Sequence, residues 1–124
     1  MSAKETPARL IVVEDSFPVA HNLKSLLETM GCDVVGMAGD VRRALALVKT
    51  LGFDLALLDI DLHGEHVGAV ADAVVQRGKP VIFLSGYGDA DVLPVHLRAL
   101  PRLEKPVDPN ELRAAIAAVL RSRV

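Results

Sequence analysis

Aromatic residues are scarce in this chain: three phenylalanines, one tyrosine and no tryptophan make up 3% of it. So few rings leave little surface on which a flavin or a similar cofactor could stack. Cysteine is nearly absent too. The single Cys32 cannot form an internal disulfide, which fits a reducing compartment, and it reads most simply as a small apolar residue. A basic excess is also missing, because 14 Lys and Arg stand against 16 Asp and Glu for a formal net charge of −2. Without surplus cations to neutralise phosphates, direct nucleic-acid binding is not expected. No apolar run approaches the ~20 residues that span a bilayer, and the polar start lacks a signal-peptide core. No membrane partner is expected, and the expected compartment is the cytoplasm.

What remains is a chain of 124 residues, 51% hydrophobic and 24% charged. That suits one domain and is too apolar for disorder. A chain of this size can bury roughly two-thirds of its unfolded surface without a metal or disulfide staple. Residues 1–8 are polar, include Pro7 and read as a flexible lead-in. Residues 9–124 read as the domain.

Within it, short aliphatic runs alternate with helix-period segments. Leu10, Ile11, Val12 and Val13 form a β-rich run of the kind covered on both faces of a sheet. Glu14 and Asp15 follow. Asp15 or Ser16 can cap a helix with Pro18 in its first turn, whose apolar face is Val19, Leu23, Leu26, Leu27 and Met30. Val34 and Val35 lead a second strand, and Val41, Ala44, Leu45 and Val48 stripe a second helix. Leu55 to Leu58 make a third strand ending at Asp59, and a helix over residues 67–77 follows. Val81, Ile82, Phe83 and Leu84 make a fourth strand ending at Ser85. A weak fifth strand is expected over residues 102–104. Asp108-Pro109-Asn110-Glu111 then opens a well-marked final helix with a capping-box spacing. Five β-then-α units with buried strands imply a doubly wound, flavodoxin-like parallel sheet with helices on both faces. One unit is irregular. Between Ser85 and Pro101 only nine residues carry helical pattern, and Pro94 sits among them, so the fourth helix should be short, irregular or absent.

In an open parallel sheet, ligands bind beyond the carboxyl ends of the strands. Those ends carry Glu14 and Asp15, then Asp59, then Ser85, then Lys105. Alone, each is an ordinary cap, turn residue or surface charge; their conjunction is informative. Three converging carboxylates repel one another and must take a cation or keep a proton. Oxygen donors at a solvent-facing rim suit Mg2+. Asp59 would then be an oriented nucleophile toward phosphorus, with Lys105 and the ion spreading charge on the transferring oxygens. Ser85 would gain a hydrogen-bond partner once Asp59 carried a phosphoryl group, which makes it a switch.

These pieces resemble the receiver domain of a two-component response regulator, over residues 9–120. The matching residues are Leu10–Val13 with Glu14-Asp15, Asp59 closing "DLALLD", Ser85 closing "VIFLS", and Lys105-Pro106. The resemblance implies that Asp59 accepts phosphate from a histidine kinase, a phosphotransfer protein or small acyl phosphates. It further implies that Glu14, Asp15, Asp59 and the backbone carbonyl of Asp61 hold Mg2+, and that Lys105 pairs with the phosphoryl group. The Lys105-Pro106 bond is usually cis in such domains. Phe83-Leu84-Ser85-Gly86-Tyr87 is similar to the Phe-Ala-Thr-Gly-Tyr-type motif of receivers that accompany HWE-class kinases.

Two positions depart from the common pattern. Most receivers carry an aromatic residue three places before the lysine, where Arg102 stands here. Signalling is therefore expected through the stretch 86–101, with Gly86, Tyr87, Arg102 and Pro106 as conformational or partner positions. Asp61 stands where Asn or a neutral residue is common, and it should strengthen cation binding or slow anionic donors. No output segment follows the final helix in this sequence, so the expected reader is another protein or a domain outside this chain.

Other readings have weaker support. Asp59-Ile60-Asp61 resembles the nucleophile motif of haloacid-dehalogenase-type phosphatases, but there it lies on the first strand and the acidic pair follows the lysine. His63, Glu65 and His66 have a spacing compatible with a metal, yet no third strong ligand supports Zn2+. His21 and His96 lack the four-helix context of a phosphotransfer histidine.

Overall fold

The aliphatic runs of the sequence become the interior strands of one parallel sheet. The structure is a computed structural model and describes residues 6–86, 88 and 92–121. In chain order the elements are β1 (Arg9–Val13), α1 (Phe17–Thr29), β2 (Asp33–Ala38), α2 (Val41–Thr50) and β3 (Leu55–Asp59). A small hairpin follows, β4 (Asp61–Leu62) and β5 (Glu65–His66), and then α3 (Gly68–Gln76) and β6 (Val81–Ser85). β7 (Arg102–Glu104) and α4 (Pro109–Arg121) complete the chain. The sheet order is β2-β1-β3-β6-β7, with every neighbouring pair parallel. This is the flavodoxin-like fold, five parallel strands flanked by four helices among the described residues.

Successive strand residues face opposite sides, so each run feeds two cores. Ile11, Val13, Ala56, Leu58 and Phe83 pack with Ala44 and Val48 of α2 and Val70 and Val74 of α3. Leu10, Val12, Leu55, Leu57 and Ile82 pack with Leu23 and Leu27 of α1 and Leu112 and Ile116 of α4. Both faces are dry. Val19, expected on the buried face of α1, is 39% exposed, and Ala20 takes its place in the interior.

The helix starts follow their caps. Asp40 accepts the Arg43 N–H at 2.8 Å, and Asp108 Oδ1 accepts the Asn110 and Glu111 N–H groups at 2.7 and 3.4 Å. At α1 the cap differs from expectation. Ser16 holds the position without a side-chain bond, and Glu14 Oε2 accepts the Ser16 N–H at 3.0 Å. Among the described residues the irregular fourth unit holds no α-helix, only 3-10 structure, at Val92 and over Val95–Leu97 behind Pro94. Pro94 is tolerated at the entry to the Val95–Leu97 turn but would break a helix running through it. No helix among the described residues is long and apolar enough to cross a membrane.

The hairpin β4–β5 is not legible as alternating hydrophobicity. His63 (φ 52) and Gly64 (φ 84) supply two successive left-handed residues, as a tight two-residue turn requires. Glu65 Oε1 accepts the Val41 N–H at 2.8 Å, which ties the hairpin to the start of α2.

Candidate functional site

Because the strands are parallel, their carboxyl ends share one rim of the sheet. Val13 of β1 pairs with Leu58 of β3, so Glu14 and Asp15 leave the sheet beside Asp59. Asp59 pairs in turn with Leu84, and Ser85 pairs with Glu104. The Lys105 N–H donates to the Ser85 carbonyl at 2.9 Å, which carries the lysine to the same rim.

The side chains meet there. One carboxylate oxygen each from Glu14, Asp15 and Asp59 lies within 4.8 Å of the others. Lys105 Nζ donates to Asp59 Oδ2 at 2.7 Å and stands 3.4 Å from Glu14 Oε1. Asp59 Oδ1 accepts the Asp61 N–H at 3.0 Å. Both oxygens of Asp59 are thus oriented. Asp59 and Glu14 are almost wholly buried, whereas Asp15 is partly open.

Charge crowding is visible in Glu14. Burial raises its carboxyl above the usual value, and the hydrogen bond and charge of Asp59 raise it further, against the Ser16 N–H and Lys105. For Lys105, burial pulls the ammonium down, but its hydrogen bond to Asp59 and the charges of Asp59 and Glu14 outweigh that and raise it. The ammonium therefore stays charged where it is needed. Glu14 Oε1 is buried without a hydrogen-bond donor. A buried carboxylate oxygen that makes no hydrogen bond and has only the Lys105 ammonium at 3.4 Å, together with an all-oxygen donor set, fits a hard divalent cation such as Mg2+. Glu14, Asp15 and Asp59 could hold it.

The other expected positions are more dispersed. Ser85 is buried at the end of β6 and Gly86 follows it half-buried. Asp61 points an exposed side chain outward from β4. Arg102 is exposed on edge strand β7, opposite Phe83. The Lys105-Pro106 bond is cis. Tyr87 lies outside the described residues. Glu65 is occupied at α2, and neither His63 nor His66 joins a metal-holding group among the described residues, so the zinc spacing is not realised. His21 packs against Phe17 and His96 bonds Asp72 at 2.8 Å.

Two residues at the rim escaped the strand-end reading. His63 Nδ1 contacts Asp15 Oδ2, and Glu65 anchors the hairpin that carries it. The His63-Gly64 pair was the available signal, since a polar residue before glycine marks a turn.

Comparison with known proteins gives one family and several relatives. Residues 10–117 match the family described as "Response regulator receiver domain". The chain is 27% identical over 121 residues to the transcriptional regulatory protein PdtaR of Mycobacterium tuberculosis, covering 94% of this chain and 59% of that protein. The solution structure of SdrG from Sphingomonas melonis superposes with a TM-score of 0.82 at 34% identity, covering 94% and 98% of the two chains. The response regulator PhyR from Brucella abortus superposes with a TM-score of 0.79 at 29% identity, covering 94% of this chain and 49% of that one. The chain thus spans 59% of PdtaR and 49% of PhyR.

Proposed function

The chain belongs to the response regulator receiver domain family, a family of signalling domains in two-component systems, and we propose that Asp59 is its phosphoacceptor. The observation that carries this reading is the Asp59 carboxylate, held at 2.7 Å by Lys105 and grouped with Glu14 and Asp15 at a strand end.

In the proposed reaction, an Asp59 oxygen attacks the phosphorus of a phosphohistidine or an acyl phosphate. The new O–P bond forms as the P–N or P–O bond to the donor breaks. The donor leaves as imidazole, which takes up a proton from solvent, or as a carboxylate. Asp61's N–H and Lys105 fix the rotation of the nucleophile beforehand, which removes much of the orientation cost. Lys105 then follows the charge onto the transferred oxygens. Glu14, Asp15, Asp59 and the Asp61 carbonyl would hold Mg2+, which supplies positive charge for the crowded carboxylates and the phosphoryl oxygens. Ser85 would donate its hydroxyl to the phosphoryl group, and the stretch from Gly86 through Tyr87 to Pro101 would reorganise around it.

The phosphodonor we propose is a histidine kinase of the HWE class or a phosphotransfer protein. Phe83-Leu84-Ser85-Gly86-Tyr87 supports that choice. Signal output is by protein contact, to another protein or to a domain beyond this chain, with Arg102 and Pro106 at the contact. In support, an apolar groove of about 490 Å³ opens beside the site, lined by Val19, Leu23, Leu26, Lys105 and Pro106. The formal charge of −2 and the absence of a basic excess favour a protein over nucleic acid, and the expected place of action is the cytoplasm.

Incubation with acetyl phosphate and Mg2+ should add one phosphoryl group to the wild-type chain by intact mass, and none to Asp59→Asn. A variant that is labelled as well as wild type contradicts the assignment. On a phosphate ester, by contrast, steady release of many equivalents of phosphate would favour a phosphatase instead.

A further inference from the structure

Among the groups around the rim, His63 has a placement that its own stability does not explain. Its backbone stands at φ 52, a region uncommon for residues other than glycine, though histidine enters it more readily than most. The turn is fixed on both sides, by buried Leu62 and by the Glu65 bond to the Val41 N–H at 2.8 Å. That turn delivers the imidazole onto Asp15, where Nδ1 contacts Oδ2. The His63 side chain is 83% exposed and that of Asp15 is 15% exposed. An exposed pair of this type adds only about 0–1 kcal/mol to stability, little return for an unfavourable backbone.

A carboxylate that must hold an ion gains more. Its rotation has to be fixed, and hydrogen-bonding partners behind metal ligands typically alter metal affinity about 10–100-fold. In the same cluster Glu14 Oε1 is buried and makes no hydrogen bond, with the Lys105 ammonium 3.4 Å away, so a cation there would give it a closer partner. We propose that His63 is a positioning residue for the divalent cation. An ionised carboxylate only accepts, so Nδ1 carries the hydrogen and fixes the Asp15 carboxylate whose ligand atom lies with those of Glu14 and Asp59. This rests on the cation placed at the cluster under the proposed function.

His63→Gly and His63→Asn test it. Both residues tolerate the left-handed turn, but only asparagine keeps an N–H close to the Nδ1 position. With no tryptophan to report binding, the probe is Mn2+, followed by loss of its free electron paramagnetic resonance signal, with Mg2+ in competition. All three proteins are compared in the same buffer. We expect His63→Gly to bind Mn2+ about 10-fold more weakly and His63→Asn to recover most of that loss. Metal-free melting temperatures should stay together across the three proteins. Equal Mn2+ affinity in wild type and His63→Gly overturns the proposal, as does an asparagine variant no better than the glycine one. So does a fall in melting temperature without a fall in affinity, which makes the contact purely structural. If the wild type binds Mn2+ and only the His63 effect is missing, the phosphoacceptor reading stands; if the wild type binds neither ion, both fall.

Discussion

Glu14 is the residue whose chemistry is most altered by its neighbours. Burial and Asp59 raise its carboxyl above the usual 4.5, so the folded protein keeps a proton that the unfolded chain releases. The sign follows from linkage: this contribution to stability is complete below the unfolded value and is lost as pH rises through the higher folded value. Near neutral pH the metal-free protein therefore carries a penalty that a bound cation offsets. Denaturant unfolding without divalent ions should show wild type losing stability relative to Glu14→Gln as pH rises from about 4.5 toward neutrality. Added Mg2+ should restore wild type more than the variant. A pH-independent difference between the two would contradict this account of Glu14. Glu14, Asp15, Asp59 and Lys105 were legible in the sequence because each directly ends or follows an aliphatic run, and parallel strands bring such ends together. His63 was not. The His63-Gly64 pair hints at the turn, but the partner is a carboxylate 48 positions away, which no local pattern encodes.

At the scale of elements, the interior strands and the helix caps hold the rim in place by different means. β3 is buried at all five positions, with Leu57 between α1, α4 and the neighbouring strands. Leu57→Ala should cost about 2–5 kcal/mol, through lost burial and the cavity left behind. Asp108→Ala removes only the cap of α4 and should cost about 1 kcal/mol. Urea unfolding of the two variants checks the order; equal losses would mean that β3 does not bear the core. The strands could be read because aliphatic runs of four or five residues have no other stable place in a domain of this size. The short β7 spans Arg102–Glu104, where the sequence predicts it, although its burial is slight. The hairpin β4–β5 was missed because two-residue strands have no periodicity to detect. Only Pro94 and the shortness of its segment foretold the 3-10 structure that replaces an α-helix among the described residues of the fourth unit.

For the whole molecule, the winding of the chain matters more than any one contact. Among the described residues four helices cover both faces of the sheet, leaving the strand ends as the place where polar side chains at the ends of β1, β3, β6 and β7 can meet. The family membership and the site geometry converge on that rim. The central claim is that Asp59, with its cation and Lys105, is the carboxylate that takes the phosphoryl group. The most direct measurement is to treat the wild-type chain with acetyl phosphate, with and without Mg2+, reduce the product with borohydride and map the peptides by mass spectrometry. Reduction converts an aspartyl phosphate to homoserine, and the prediction is homoserine at position 59 alone and only when Mg2+ is present. Homoserine at another carboxylate, or the same yield without the metal, would contradict the account.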